Sequence, residues 1–246
     1  MSLSARTSVA AHRTLPHANP LSVGQMNALA HQLAKGHPQT VLEVGCGSGA
    51  FSIELAKACN AVITAVDVNP HSLERARKSA EGQSLRGSVV FAEQPATAMS
   101  SKFDAVVCIG SSHAFGAPIE GLRQCAGLVT LKGTVLFADI VWSAEPPEEF
   151  LAFLGTPACN YWDALDAAQV FRKLGLVISH VETASAESWK SYEDGVLQGR
   201  LAFAETLGLV EAEEVRTKAI TWAEAYEKHG KHCFGFAAYL ASTRCG

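Results

Sequence analysis

Three glycines, Gly45, Gly47 and Gly49, follow the apolar run Val41–Val44 at steps of two residues. Glycine admits positive φ and lets main chain come within contact distance of a ligand. A helical pattern begins at Ala50. A strand, a glycine turn and a helix N-terminus build a nucleotide-sized notch at the carboxyl end of a parallel sheet. Glu43 lies inside the end of that strand. A buried carboxylate is costly unless it is paired or accepts hydrogen bonds. It therefore either bonds locally or anchors the polar tail of a bound nucleotide. Asp67 closes the next apolar run, Ala61–Val66. It falls about 20 residues past the glycines, where a ribose-binding acid is expected. A carboxylate accepts from two vicinal hydroxyls, and such charge-assisted bonds are strong. His113 lies in the loop that follows a fourth apolar run, Phe103–Ile109. Imidazole changes charge near neutrality and can take a proton from an attacking hydroxyl, amine or thiol. The alternative role is a loop histidine bonded to a backbone carbonyl.

The elements that must hold these residues alternate. Thr40–Val44, Ala61–Val66, Val89–Ala92, Phe103–Ile109 and Thr134–Ala138 read as strands, with helical patterns between most of them. Pro20 to Lys35 reads as a helix before the first strand, and Asn69-Pro70 as an N-cap and first helical position. This rhythm predicts a doubly wound α/β domain with right-handed crossovers. It breaks after Asp139. A sixth strand is expected at Leu176–Val181, then two helices carrying Trp189 and Tyr192 and, later, Trp222 and Tyr226. A last strand, Phe234–Leu240, follows without another crossover unit and is expected to insert antiparallel.

Residues 45–50 also satisfy a dinucleotide GxGxxA pattern. Two features argue against a nicotinamide cofactor. Glu43 precedes the glycines, where it would repel a pyrophosphate, and no second mononucleotide-binding half follows the fifth strand. Four segments instead resemble the successive motifs of class I S-adenosylmethionine-dependent methyltransferases, in order and at the right spacing. They are residues 41–49, Val66–Pro70, Ala92–Gln94 and Phe103–Gly110. The resemblance covers about residues 20–140 well. It implies a Rossmann-like, seven-stranded, mostly parallel sheet with the last strand antiparallel. It also implies S-adenosylmethionine as cofactor and S-adenosylhomocysteine as product. In that scheme Gly45, Cys46, Gly47 and Gly49 line the methionine and ribose portion, with Glu43 beneath. Asp67 holds the ribose, Val68 packs on adenine, Glu93 and Gln94 edge it, and Ile109 and Gly110 flank the methionine end. The loop at 108–116 departs from the Asn/Asp-Pro-Pro-Tyr/Phe signature of enzymes that methylate amides or base amino groups. Together with residues 138–142 and 187–193, it is similar to a bacterial group of small-molecule methyltransferases.

The expected acceptor is thus a nucleophilic O, N or S atom of a small molecule, with His113 as its base. Aromatic side chains in the additions that break the rhythm can clamp a flat substrate or face a sulfonium. Trp142, Tyr161, Trp162, Trp189 and Tyr192 are the candidates, along with His17 on an extended lead-in able to fold across the pocket. The rivals are a macromolecular acceptor (RNA or protein), a non-catalytic cofactor-binding protein and a nicotinamide oxidoreductase.

Composition narrows the choice. The chain has 246 residues, 48% hydrophobic and 18% charged, which allows one α/β domain with a large core. Its formal net charge is -4 and it contains no long basic run, so neither nucleic acid nor a membrane is expected as partner. The seven cysteines show no metal-ligand spacing and read as reduced thiols, with no metal site expected. Residues 1–15 have no apolar h-region and do not read as a secretory signal. The expected organisation is an N-terminal arm over 1–19 and one domain over 20–246, with lid additions at about 143–165 and 186–230. A cytoplasmic monomer or homodimer is expected.

Overall fold

The computed structural model describes residues 2–243; Cys245 lies outside that range. Seven strands form one sheet in the order β3-β2-β1-β4-β5-β7-β6. They are β1 (Thr40–Val44), β2 (Val62–Asp67), β3 (Ser88–Glu93), β4 (Phe103–Ile109), β5 (Val129–Trp142), β6 (Leu176–Thr183) and β7 (Phe234–Thr243). The first five pair in parallel, and β7 runs antiparallel between β5 and β6. The sheet topology expected from the sequence is therefore present, including the inverted last strand.

The crossovers follow from the residues. Helices α1 (Leu3–Ala11) and α2 (Val23–Ala34) precede the sheet, and Ser22 and Gln25 close a capping box at the start of α2. Helix α3 (Ala50–Ala58) opens on Gly49, whose φ of +74 is left-handed. A Cβ at Gly49 would press on the Phe91 ring and Ala76, so this glycine serves helix–sheet packing. Helix α4 (Pro70–Ala80) is capped by the Asn69 side chain, as expected. These four-residue-spaced apolar faces pack on one side of the sheet through Leu29, Leu33, Phe51, Leu55 and Leu73. Helices α5 (Pro118–Leu128) and α7 (Ala167–Lys173) cover the other side through Leu122, Cys125 and Phe171. Between them comes α6 (Glu148–Leu154).

Two long helices, α8 (Ala186–Ala204) and α9 (Leu209–Ala225), form the hairpin expected after β6. Residues 3–11, read from the sequence as part of an arm, are helical and lie on α8. Their seat is two glycines of α8. A Cβ at Gly199 would come within 2.6 Å of the Ala11 carbonyl oxygen, and one at Gly195 within 2.5 Å of Leu15. Only bare backbone allows that approach. β5 is also longer than expected. It runs past Asp139 to Trp142 because β7 pairs with it along that whole length, ending at Trp142↔Phe234. No helix among the described residues is long and apolar enough to cross a membrane.

Candidate active site

The strand order reverses between β1 and β4, and ligands in open α/β sheets bind at such a point, beyond the carboxyl ends of the strands. A cavity of about 420 Å3 opens there. Its walls come from the turns after β1, β2 and β4, and from α1 with its lead-in to α2. Glu43, Gly45, Cys46, Gly47, Asp67, Val68, Ile109, Gly110, His113, His17 and Tyr192 all line it. All were singled out from the sequence, and the fold brings them together.

The glycines act differently. Gly45 and Gly47 have φ of +65 and +53. A Cβ at Gly45 would strike Ser111 at 2.4 Å, so bare backbone lets the β1 and β4 turns touch. A Cβ at Gly47 meets nothing within 4 Å. That backbone faces open cavity, as a cradle for a ligand requires. Asp67 braces the same turn: Gly47 N–H donates to Oδ2 and Asn69 N–H to Oδ1, each at 2.8 Å. Each carboxylate oxygen keeps a further lone pair for a hydroxyl. Beside it Val68 is 67% exposed, an apolar surface suited to a flat ring. Glu43 lies on the floor, 5% exposed, and its Oε2 accepts from the Ser52 hydroxyl. Burial pushes its carboxyl up to about 7, against the Ser52 bond, and the nearby Asp67 charge adds to the rise.

A second chamber of about 200 Å3 adjoins the first. Trp189, Trp222, Phe234 and Phe236 give it aromatic walls, and Asp139 supplies a buried carboxyl. Burial raises the Asp139 carboxyl, while Ser112, the Ile140 N–H and His113 oppose that rise. The Nε1–H of buried Trp189 has no hydrogen-bond partner among the described residues. Burial raises the nearby Glu193 carboxyl, which is held down in part by that same Trp189 group.

Other expected residues stand elsewhere. Gly49 packs behind the notch, as described above. Glu93 is exposed and lies outside the cavity wall; Gln94 donates to Met99 Sδ at 2.7 Å. Trp142 stacks on Phe234 and donates from Nε1 to the Ala158 carbonyl, so it supports the chamber wall from behind. Tyr161 packs edge-on to Trp142. Trp162 is on the opposite face of the sheet, against Phe171 and Tyr239. Its assignment to the substrate is corrected to core. The chain returns to the end of β5, where Trp142 N–H bonds the Trp162 carbonyl, and the Trp162 ring packs on Phe137 and Phe171. His12, Asn19 and Arg200, which also line the cavities, were missed. The spacing Gly195-x-x-x-Gly199 was the available signal, since small residues four apart on a helix invite a close neighbour.

A family model described as a methyltransferase domain matches residues 41–133. That segment, rather more than a third of the chain, is similar to a methyltransferase domain. The match begins at β1 and ends within β5, so it takes in the glycine notch, Asp67 and His113. A ubiquinone biosynthesis O-methyltransferase of Actinobacillus pleuropneumoniae is 30% identical over 128 residues, which are 50% of this chain and 53% of the relative. The chain thus spans about half the length of the curated relatives it matches. Among solved structures, a SAM-dependent methyltransferase from Thiobacillus denitrificans, in complex with S-adenosyl-L-homocysteine, superposes with a TM-score of 0.83 at 22% identity, covering 96% of this chain and 97% of the other. YjhP from E. coli superposes with a TM-score of 0.87 at 20% identity, covering 97% of this chain and 100% of the other. The likeness in fold therefore continues past the matched segment, through the α8–α9 hairpin and β7.

Proposed function

We propose that this chain transfers a methyl group from S-adenosylmethionine to a nucleophilic atom of a small molecule, with a hydroxyl oxygen favoured. The carrying observation is the pair of joined cavities: a glycine cradle braced by Asp67, opening at Gly110 into an aromatic chamber. A cavity of about 420 Å3 suits a ligand of nucleotide size, within the ~300–1,000 Å3 usual for small-molecule sites. The names of the curated relatives and the bound product in the Thiobacillus neighbour support the same reading.

In this reading Gly45 and Gly47 hold the cofactor by main chain, Asp67 takes the ribose hydroxyls and Val68 covers the adenine. Glu43 supports the polar tail from below. When bound, S-adenosylmethionine supplies an electrophilic methyl on a sulfonium. Methyl transfer is an in-line displacement, so the protein mainly aligns the acceptor and excludes water. Trp189, Trp222, Phe234 and Phe236 close around a flat acceptor. His113, at the edge of the cofactor cavity, steers the acceptor toward the donor. A chamber of about 200 Å3 is the size of a small acceptor, which is favoured over RNA or protein. A cytoplasmic location fits the six unpaired cysteines among the described residues. A monomer or homodimer completes the proposal.

The test is calorimetry with S-adenosylhomocysteine and with NADH, then tritiated methyl transfer to a panel of small phenols, amines and thiols. Tight binding of the former alone and labelled product support the reading. Binding of NADH alone, or of neither, would overturn it.

A further inference from the structure

Among the described residues, five line both cavities: His12, Ala18, Asn19, Gly110 and Tyr192. They mark the seam across which a group would pass from donor to acceptor. Two of the five can exchange a proton, His12 and Tyr192, and they are bonded to each other. His12 Nε2 lies 3.0 Å from the Tyr192 hydroxyl, and His12 Nδ1 lies 2.8 Å from the Ser8 carbonyl oxygen. The two rings stack, with centroids 5.9 Å apart.

These bonds fix the proton positions. A carbonyl oxygen only accepts, so Nδ1 carries the hydrogen. In the neutral ring Nε2 is then a bare acceptor, and the Tyr192 hydroxyl donates to it. The phenolic oxygen keeps its own lone pairs for a further donor at the seam. By contrast, His113 lines the cofactor cavity alone and Asp139 the acceptor chamber alone.

We infer that Tyr192 and His12 form a proton relay for methyl transfer to a hydroxyl acceptor. The inference rests on the methyltransferase reading above and deepens it. The acceptor O–H gives its proton to the Tyr192 oxygen while the phenolic proton moves to His12 Nε2. The acceptor oxygen uses a lone pair to form the new C–O bond. The C–S bond breaks with its electrons remaining on sulfur, which becomes a neutral thioether. His12 ends as the imidazolium, and bulk solvent later removes that proton. Tyr192 is the catalytic residue here, and His12 acts through it.

The surroundings suit these roles. Burial lowers the His12 pKa, and the Arg200 charge on α8 acts in the same direction, over the opposing Ser8 bond. The ring is therefore neutral and able to accept near neutral pH. Burial and the Glu193 charge push the Tyr192 hydroxyl well up, so it does not ionise alone and needs His12 to take its proton. The other titratable groups around the two cavities are His17 on the lead-in, Glu43, Cys46, Asp67, Arg75 and His113 on the cofactor side, and Asp139, Glu193 and Arg200 across the chamber. Ala11 against Gly199 and Leu15 against Gly195 flank His12 and hold it in place.

The test uses the full chain with tritiated S-adenosylmethionine and a panel of simple phenols, in parallel with calorimetry on S-adenosylhomocysteine. Variants are Tyr192→Phe, His12→Gln and the double variant. Each single variant is expected to lose on the order of 100-fold in kcat with cofactor-product affinity within about 2-fold. The double variant should be no slower than either, because the pair acts as a unit. In the wild type, kcat/KM should rise with pH along a limb centred below 6.5. His12→Gln should lose that limb. A Tyr192→Phe enzyme with wild-type kcat, single losses that multiply, or a limb that survives in His12→Gln would each overturn the relay. So would losses confined to KM and cofactor-product affinity, which would make the pair a structural clasp. A wild type that binds S-adenosylhomocysteine but methylates no phenol also overturns the relay and leaves the cofactor assignment standing. Failure to bind it at all removes the methyltransferase reading itself.

Discussion

Gly47→Ala separates ligand binding from backbone strain at one position. Gly47 has φ +53 and Gly82, in the turn after α4, has φ +71. At neither would a new Cβ meet any atom within 4 Å. The two substitutions should therefore destabilise the fold alike, by the cost of a left-handed alanine, about 1–2 kcal/mol. For a chain of this size that lowers Tm by about 2–8 °C. The difference lies in what else the methyl touches. Gly47 lines the cavity and Gly82 does not. If a cofactor lies against Gly47, the added methyl overlaps it at a cost of about 1–3 kcal/mol, or roughly 5- to 150-fold in affinity. Thermal unfolding measures the first effect, and calorimetric titration with S-adenosylhomocysteine the second. Equal affinities for the two variants, at matched stability, would refute the cradle.

Asp67→Ala should weaken S-adenosylhomocysteine binding by one to two orders of magnitude, about 1.5–3 kcal/mol for charged hydrogen bonds. It should also lower Tm, since Asp67 accepts from Gly47 and Asn69; unchanged calorimetric affinity would count against the ribose role. Glu43 predicts a pH dependence. Its folded value of about 7 lies above the ordinary 4.5, so the native state holds the extra proton between them and stability falls as pH rises through that window. The whole effect is about 3 kcal/mol. Glu43→Gln should therefore gain on the wild type between about pH 5 and about pH 8 in urea melts, and a constant difference would show that the carboxyl is not lifted. His113→Ala should slow turnover with S-adenosylhomocysteine affinity nearly unchanged. It should keep the ascending pH limb assigned to His12, whereas equal activity at every pH would remove His113 from the mechanism.

The half of the chain that repeats strand and helix was readable because each strand ends on a residue with one physical reason to be there. Gly45 allows contact between neighbouring turns, Asp67 braces the glycine turn, and Asn69 caps α4. Those are local rules. The acceptor side rests on contacts far apart in sequence. Residues 3–11 carry a weak apolar pattern and gain their place from the glycines of α8. That is why His12 went unremarked while Tyr192, its partner, was noticed as an aromatic. Trp162 and Trp189 look alike as sequence, yet one is buried against α7 and the other walls a chamber. The tertiary partners separate them: Phe171 and Tyr239 for Trp162, Tyr226 and Phe234 for Trp189.

In the proposed binding mode the turns after β1, β2 and β4 grip an adenosyl ligand whose sulfur faces the His12–Tyr192 seam. A crystal structure of the chain grown with S-adenosylhomocysteine tests it most directly. The ribose hydroxyls are expected on Asp67, the adenine over Val68, and the sulfur beside Gly110 with Tyr192 opposite. An empty glycine notch, or the ligand bound with its sulfur turned away from that seam, would contradict it.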